Sequence, residues 1–147
     1  MNSFTKNITT ISRCANQFRN DLLEGTGLKG GQHSLITNLC REPGISQEKL
    51  SKLTYMNKSS VARQLANLEE NGFVTRQYSE TDKRVILVYP TEKALQLLPT
   101  IVDIHRAWRS YLTESFTEDE LDLFSALLDR VAERAKNYVD TRDSKLS

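Results

Sequence analysis

The sequence predicts a mainly α-helical protein with one small β-hairpin in the middle of the chain. Apolar residues recur at helical spacing over most of the 147 residues. Residues whose side-chain oxygens cap helices stand just ahead of several of these stretches. Between residues 73 and 89, two short runs rich in β-branched and aromatic residues enclose a polar turn, which is the pattern of a hairpin.

The first predicted element is an amphipathic helix over residues 4–22. Its apolar residues alternate four- and three-residue steps, which is typical of a helix that packs along a narrow seam. These residues are Phe4, Ile8, Ile11, Ala15, Phe18 and Leu22. The glycines in residues 24–27 break this helix, and Lys29-Gly30-Gly31 predicts a second flexible point. A further helix is predicted from about Gln32 to Arg41, ahead of a turn at Pro43-Gly44.

Residues 45–72 predict two helices joined by a tight turn. Ser46 can cap the first helix and Asn57 the second, since both side chains accept a hydrogen bond from an unpaired backbone N–H. Apolar residues of the second helix recur at i, i+4 and i+7 and predict one buried stripe: Val61, Leu65 and Leu68. Asn71-Gly72 ends this helix, because glycine accepts the left-handed conformation that follows a helix end.

The face opposite that stripe is small, polar and basic in its first half. At about 100° per residue, the side chains that point away from the stripe are Ser59, Arg63, Ala66, Asn67 and Glu70, with Lys58 and Ser60 at the helix start. Small residues let a helix approach a DNA major groove closely, and arginine offers two donors to guanine. An ordinary solvated hairpin inside an all-α domain is the alternative interpretation.

The segment that follows favours DNA binding. Residues 73–78 and 85–89 predict two strands, and residues 79–84 predict a charged turn between them. A helix pair followed directly by such a hairpin is a winged helix-turn-helix.

The residues of this region resemble those of the MarR family of bacterial transcriptional regulators. The matching segments are Lys58-Ser59-Ser60-Val61-Ala62-Arg63, Leu68-Glu69-Glu70-Asn71-Gly72-Phe73-Val74 and Asp82-Lys83-Arg84, the last of which fits the family's Asp-x-Arg wing signature. The resemblance extends from about Leu28 to the final helix in the order and length of the elements. One departure is Ala94, where the family often has glycine.

The resemblance implies a fold and a function. The expected fold class is mainly α with a small β-hairpin wing, in which N- and C-terminal dimerisation helices accompany the winged helix-turn-helix. The DNA-binding domain is expected over residues 28–99, and the dimerisation region over residues 1–27 and 100–147. The expected function is that of a sequence-specific regulator of transcription that binds double-stranded DNA. It would act as a homodimeric repressor on a pseudo-palindromic operator and be released by an unidentified effector, for which a small molecule is one candidate.

By this resemblance, the second helix of the pair is a recognition helix. Six of its residues are assigned to DNA: Lys58, Ser59, Ser60, Ala62, Arg63 and Gln64. The two serines and the arginine would contact base edges or phosphates, and the alanine methyl would meet a thymine methyl. The lysine and the glutamine would contact the sugar-phosphate backbone at the flanks.

Three residues of the wing complete the expected interface. Lys83 or Arg84 would reach the minor groove or its phosphates. Asp82 would hold Arg84 in place through a charge-assisted hydrogen bond, as a positioning residue without a DNA contact of its own. For each residue assigned to DNA, the simple alternative is a solvated surface position.

The charge distribution agrees with an interface in the middle of the chain. The whole chain has a net charge of +1, but residues 28–90 carry +3 and residues 91–147 carry −3. A basic segment at residues 28–90 beside acidic helices at residues 91–147 is expected if residues 28–90 bind the phosphates of DNA.

The C-terminal third predicts two more helices. Thr91 can cap a long helix that contains Pro99 and reaches about Thr113. Its predicted seam is Leu95, Leu98, Val102, His105 and Leu112, widened by Ile101, Ile104, Trp108 and Tyr111. The last helix starts with a capping box of Thr117 and Glu120. Its stripe is Phe124, Leu128, Val131, Ala135 and Tyr138.

The terminal helices carry more apolar surface than a small winged helix can cover. This excess predicts a homodimer, and the alternative is a monomer that folds its own terminal helices together.

The sequence is compatible with two kinds of site through which the protein could sense a signal, a redox cysteine and a zinc site. Cys14 is a candidate redox residue, because some members of the resembling family sense peroxide through a cysteine on this helix; a small buried hydrophobe is the simpler interpretation. His33 and His105, with Glu24, could hold zinc only if the fold brings them together.

Several function classes find no support in the sequence. It contains no phosphate loop, paired-histidine metal motif or nucleophile elbow, so we expect neither an enzyme nor a cofactor. It contains no apolar run of about 20 residues and no apolar signal core, which predicts a cytoplasmic protein without a membrane partner. The competing class is a winged-helix module that binds protein. Such a module would not need Arg63, Lys83 and Arg84 together with two small serines.

Overall fold

The computed structural model describes residues 3–146 and confirms the predicted fold class. The helices are α1 Phe4–Leu22, α2 His33–Arg41, α3 Gln47–Thr54, α4 Lys58–Glu70, α5 Glu92–Leu112 and α6 Glu118–Leu146. The strands are β1 Ile45–Ser46, β2 Val74–Tyr78 and β3 Ile86–Pro90. The chain divides into two compact units, one that ends at Trp108 and one that begins at Arg109. Among the described residues, no helix has both the length and the apolar character of a membrane span.

The predicted caps determine where the helices begin. The Ser46 hydroxyl accepts a hydrogen bond from the Lys49 backbone N–H at 3.1 Å, which starts α3. Thr117 and Glu120 form the predicted capping box, in which each side chain accepts from the other residue's backbone N–H at 3.2 Å. Tyr55 adopts the left-handed conformation at the end of α3, with φ of 56°, and so makes the turn between α3 and α4 tight.

The hairpin is part of a three-stranded antiparallel sheet in the order β1-β3-β2. Its two long strands pair from Val74 opposite Pro90 to Tyr78 opposite Ile86, each one residue later than the predicted strand starts. The sequence did not predict β1, whose Ile45 pairs with Val88. A strand of two residues is too short to show an alternating pattern, so it can be found only through its partner.

The hydrophobic core lies in the first unit and is built around α4. The predicted stripe of α4 is fully buried: Val61, Leu65 and Leu68. It packs in one cluster with side chains of α2, α3, the sheet and the residue before β2, which include Leu35, Ile36, Leu39, Leu50, Val88 and Phe73. The core therefore fixes which face of α4 remains open.

The predicted apolar residues of α5 lie in two different environments. Leu95 and Val102 are exposed, whereas Ala94, Ile101 and Ile104 are buried in the core cluster. The helix carries two adjacent apolar stripes with the same period, and periodicity alone does not say which of them meets the core.

In the second unit, α6 contains no buried residue. Its apolar side chains are exposed, and these include Leu123, Phe124, Leu127, Leu128, Val131 and Tyr138. Near its start, the rings of Phe116 and Phe124 meet edge to face with centroids 5.6 Å apart.

The segment predicted to be a second flexible point is a tightly packed 3-10 turn, Gly30–Gln32. Gly30 is buried against α1, where its N–H donates to the Asn20 side-chain oxygen at 2.6 Å. Its carbonyl accepts from the Arg19 Nε at 2.9 Å. A Cβ at this position would lie 2.8 Å from the Asn16 backbone oxygen, so the close approach requires glycine.

We expect Gly30→Ala to destabilise the protein by about 1–3 kcal/mol, because the added methyl group would push the turn away from α1. Gly31→Ala is the matched control, since a Cβ there would meet its nearest neighbour, the Asn16 side-chain oxygen, at an ordinary 3.7 Å. Urea unfolding of both variants followed by circular dichroism measures the difference. Equal stability of the two variants would contradict the packing described here.

Candidate nucleic-acid interface

The open face of α4 begins at a well-capped helix start. The Asn57 side-chain oxygen accepts hydrogen bonds from the backbone N–H groups of Ser59, at 2.9 Å, and Ser60, at 3.4 Å. It also accepts from the Ser59 hydroxyl. These bonds hold the first turn of α4 in place, so the positive end of the helix dipole is fixed where a phosphate could approach.

The structure places the six predicted residues of α4 on or beside one face. Lys58, Ser59 and Arg63 are exposed, whereas Ser60, Ala62 and Gln64 are half-buried. The ammonium group of Lys58 lies 3.4 Å from Glu48 in an exposed ion pair, which is weak enough for a phosphate to replace.

Asn67, which the sequence places away from the buried stripe, is half-buried. Its side-chain oxygen faces inwards and accepts a hydrogen bond from Gln32 Nε2 at 2.8 Å. The same Gln32 nitrogen donates to the Gln64 side-chain oxygen at 2.9 Å. Gln32, a residue to which the sequence assigned no role, therefore binds the side-chain oxygens of both Gln64 and Asn67 on the inner side of α4.

At the tip of the hairpin, Asp82 and Arg84 form the pair expected from the wing signature. The Arg84 guanidinium donates to both carboxylate oxygens of Asp82 at 3.1 Å, and the Arg84 backbone N–H donates to one of them at 3.0 Å. The side-chain hydrogen bonds from Arg84, and to a smaller extent the backbone hydrogen bond, hold the pKa of Asp82 below its usual value. The Arg84 side chain is 90% exposed, so the pair presents it to solvent.

A second ion pair joins the hairpin to α4. The Arg76 guanidinium on β2 donates to the Glu69 carboxylate on α4 at 3.2 Å, and the Arg76 backbone N–H donates to the same carboxylate at 3.0 Å. Arg76 also reaches the Gln47 side chain of α3 at 3.4 Å. Sequence analysis missed this residue, although an arginine on an alternating strand beside an acidic helix end is a usable signal.

Behind the interface, the two histidines do come together. Their rings meet edge to face with centroids 4.7 Å apart, and His33 Nδ1 lies 2.7 Å from the Gly30 carbonyl. Within residues 3–146, no three His, Cys, Asp or Glu side chains converge on a point where they could hold a metal ion. The pair is therefore explained as a packed aromatic contact.

The two cysteines lie in different environments. Cys14 is exposed on α1, contrary to the simpler interpretation of a buried hydrophobe, and Cys40 is half-buried at the end of α2. Burial raises the pKa of the Cys40 thiol. The redox role of Cys14 stays a prediction.

Comparisons with known proteins agree on one family. The MarR family model matches residues 28–86. The chain is 30% identical over 142 residues to YybA of Bacillus subtilis (strain 168), an uncharacterized HTH-type transcriptional regulator, and the match covers 95% of each chain. It is 26% identical over 132 residues to the HTH-type transcriptional repressor YetL of the same organism, which covers 88% of this chain and 79% of YetL.

Solved structures give the same result. A SlyA-like transcription regulator from Listeria monocytogenes superposes with a TM-score of 0.88 at 28% identity, over 96% of each chain. A structure from the same organism, assigned to the MarR family and complexed with a 26mer DNA, superposes with a TM-score of 0.83 at 28% identity, over 96% of each chain.

The half-buried histidine pair predicts a pH-dependent stability. Burial lowers the pKa of His33 from 6.5 to about 4, the hydrogen bond to Gly30 partly offsets this, and the charges of Arg19 and His105 lower it further. As pH falls from 6.5 towards 4, the unfolded chain takes up a proton here and the folded chain does not. We therefore expect the free energy of unfolding to fall over this range by about 1–2 kcal/mol, allowing for partial exposure of the ring.

Urea unfolding between pH 4 and 7 measures this dependence in the wild type and in His33→Asn. The asparagine amide can still donate to the Gly30 carbonyl but does not titrate, so its stability should change less with pH. An identical pH dependence in the two proteins would show that His33 does not contribute.

Proposed function

The chain belongs to the MarR family of transcriptional regulators, and we propose that it binds double-stranded DNA as a homodimeric repressor on a pseudo-palindromic operator. An effector releases it. The observation that carries the DNA-binding part is the joint exposure of Arg63 on α4 and Arg84 on the hairpin. The Glu69–Arg76 ion pair holds these two elements together, so a duplex would meet both cations in a fixed arrangement.

In this proposal, α4 enters the major groove and the wing lies along its edge. Ser59, Ser60 and Arg63 contact base edges or phosphates, and the methyl group of Ala62 meets a thymine methyl. Lys58 and Gln64 contact the backbone at the flanks of α4. The Gln64 side-chain oxygen already bonds to Gln32, so its amino group is the part that would donate to phosphate.

At the wing, Arg84 or Lys83 reaches the minor groove or its phosphates, and Asp82 positions Arg84. The bidentate Asp82–Arg84 pair supports this role, because it restricts the direction of an otherwise flexible side chain. The similar Listeria protein that was crystallised with DNA supports the choice of DNA as partner.

The homodimer is supported by apolar surface on the terminal helices. On α1, Phe4, Ile8 and Ile11 are exposed, and α6 has no buried residue despite its apolar stripe. A second copy of the chain is the partner that would cover these surfaces. We accordingly propose that residues 1–27 and 100–147 form the dimerisation region and residues 28–99 the DNA-binding domain. A two-fold dimer would place two recognition helices on two half-sites about one helical turn apart.

Release by an effector is supported by two buried polar atoms without a hydrogen-bond partner in residues 3–146. These are the Asn16 side-chain oxygen and His105 Nε2. Buried polar atoms without partners are unusual, and a ligand that donates hydrogen bonds would satisfy them. Peroxide sensing by Cys14 and a protein-binding winged helix stay as alternatives, and no contact among residues 3–146 favours either.

We expect Arg63→Ala and Arg84→Ala each to weaken DNA binding about 10- to 100-fold, because each removes a charge-assisted contact worth roughly 1–3 kcal/mol. Fluorescence anisotropy measures this on a duplex that the wild type selects from a random library, over a salt series. Where the lost contact is to phosphate, the slope of log affinity against log salt should fall by about 1.

Lys145→Ala, which removes a charge near the end of α6, is the charge-matched control and should bind like the wild type. If the wild type selects no duplex even at low salt, the DNA-binding proposal fails and the protein-binding alternative takes its place.

We expect Leu128→Glu to dissociate the dimer, because it places a charge in the apolar stripe of α6. Ala126→Glu is the matched control, since it adds the same charge on the acidic side of the helix that Asp122 and Asp129 occupy. Light scattering coupled to size exclusion should give twice the 16.8 kDa chain mass for the wild type and the control, and 16.8 kDa for Leu128→Glu. A wild type of 16.8 kDa would overturn the dimer.

A further inference from the structure

Gln32 is a buried amide between the N-terminal helix and the recognition helix. Its side chain is nearly inaccessible, with the residue 1% exposed. Its Nε2 donates to the side-chain oxygens of Gln64 at 2.9 Å and Asn67 at 2.8 Å. Its Oε1 accepts from the Lys29 backbone N–H at 3.0 Å. Since an unpaired amide is costly to bury, every polar atom of this side chain is committed to one arrangement.

The backbone of Lys29 fixes the direction of the whole hydrogen-bond chain. An N–H group can only donate, so the atom of Gln32 that faces Lys29 must be the oxygen. The amino group of Gln32 therefore faces α4, and only oxygens of Gln64 and Asn67 can accept from it. The amino groups of Gln64 and Asn67 must then point away from Gln32.

We infer that Gln32 is a positioning residue that makes Gln64 and Asn67 hydrogen-bond donors towards DNA. This inference rests on the proposed DNA-binding function. Amino groups suit phosphate oxygens and the N7 and O6 acceptors of guanine. Recognition of adenine by glutamine or asparagine needs the oxygen and the amino group together, and here the oxygen is held inside the protein. With their oxygens held by Gln32, the two amides of α4 cannot make the bidentate contact that selects adenine, and they are left as simple donors to phosphate or to base acceptors.

The orientation is anchored to α1 through the 3-10 turn that contains Gln32. Asn20 and Arg19 both bind Gly30, at 2.6 and 2.9 Å, and Gly30 packs directly on Asn16. The direction of the two donors on α4 thus depends on the position of α1, the helix we assign to dimerisation.

The first test uses the protein without DNA. Proton exchange of the side-chain amino groups is measured by NMR on 15N-labelled wild type and Gln32→Glu. In the wild type, the amino protons of Gln32 should be protected from exchange, and those of Gln64 should exchange like those of the exposed Gln17. A carboxylate at position 32 can only accept, so in Gln32→Glu the amino groups of Gln64 and Asn67 should turn inwards and become protected. Rapid exchange at Gln32 in the wild type would overturn the inference.

The second test measures binding to the duplex that the wild type selects from a random library. Gln32→Glu should weaken binding about 10- to 100-fold, because two outward donors are replaced by acceptors that repel phosphate. Gln17→Glu makes the same chemical change at an exposed site and should bind like the wild type. Urea unfolding confirms that each variant is folded under the binding conditions.

A variant lacking both amides separates positioning from a general structural role. In a Gln64→Ala, Asn67→Ala background, adding Gln32→Glu should have no further effect on affinity. A loss that persists in this background, or an unchanged affinity of Gln32→Glu alone, would overturn the role of Gln32 while leaving DNA binding intact. A wild type that binds no duplex would overturn the DNA-binding function itself, and with it this inference.

Discussion

Burial of one apolar stripe of α4 is the constraint on which the interface depends. Val61, Leu65 and Leu68 are fully buried, and burial of each such side chain contributes about 1.5–3 kcal/mol. Turning the helix would expose all three, so its rotation is strongly fixed. The face that carries Ser59 and Arg63 is outward for this reason. Its availability to DNA is a consequence of packing on the opposite side.

Hydrophobic packing is non-directional, so directional hydrogen bonds and ion pairs are needed to fix the position of α4 relative to its neighbours. On one edge of α4, Gln32 binds two amide oxygens, and on the other, Glu69 binds Arg76 of β2. The Gln32 contact links α4 to α1 through the packed Gly30 turn, and the Glu69–Arg76 contact links α4 to the hairpin. The Gln32 side chain is almost fully buried, which makes its hydrogen bonds sensitive to geometry, whereas the ion pair is partly exposed, with 41% of the Glu69 side chain accessible. Directional bonds thereby connect α4 both to the turn that packs on α1 and to the hairpin.

The apolar residues of the chain fall into two groups, one buried in a core and one exposed on a helix surface. In the first unit they close a core around α4, whereas α6 keeps its apolar side chains exposed. Exposed apolar surface of this extent is characteristic of an interface. The capping box at Thr117 and Glu120 allows α6 to start without tertiary support, because it satisfies the helix start locally.

The sequence by itself determined the elements whose causes are local. Caps at Ser46, Asn57 and Thr117 set helix starts, and two runs rich in β-branched and aromatic residues placed the hairpin to within one residue. The pairing of Asp82 with Arg84 was also predictable, since the two residues are neighbours in a turn. Only the tertiary structure decided which of two equal stripes of α5 meets the core, that Ile45 pairs with Val88, and that Gln32 binds residues more than 30 positions away. These outcomes depend on which distant segments come together, and neither periodicity nor residue type carries that information.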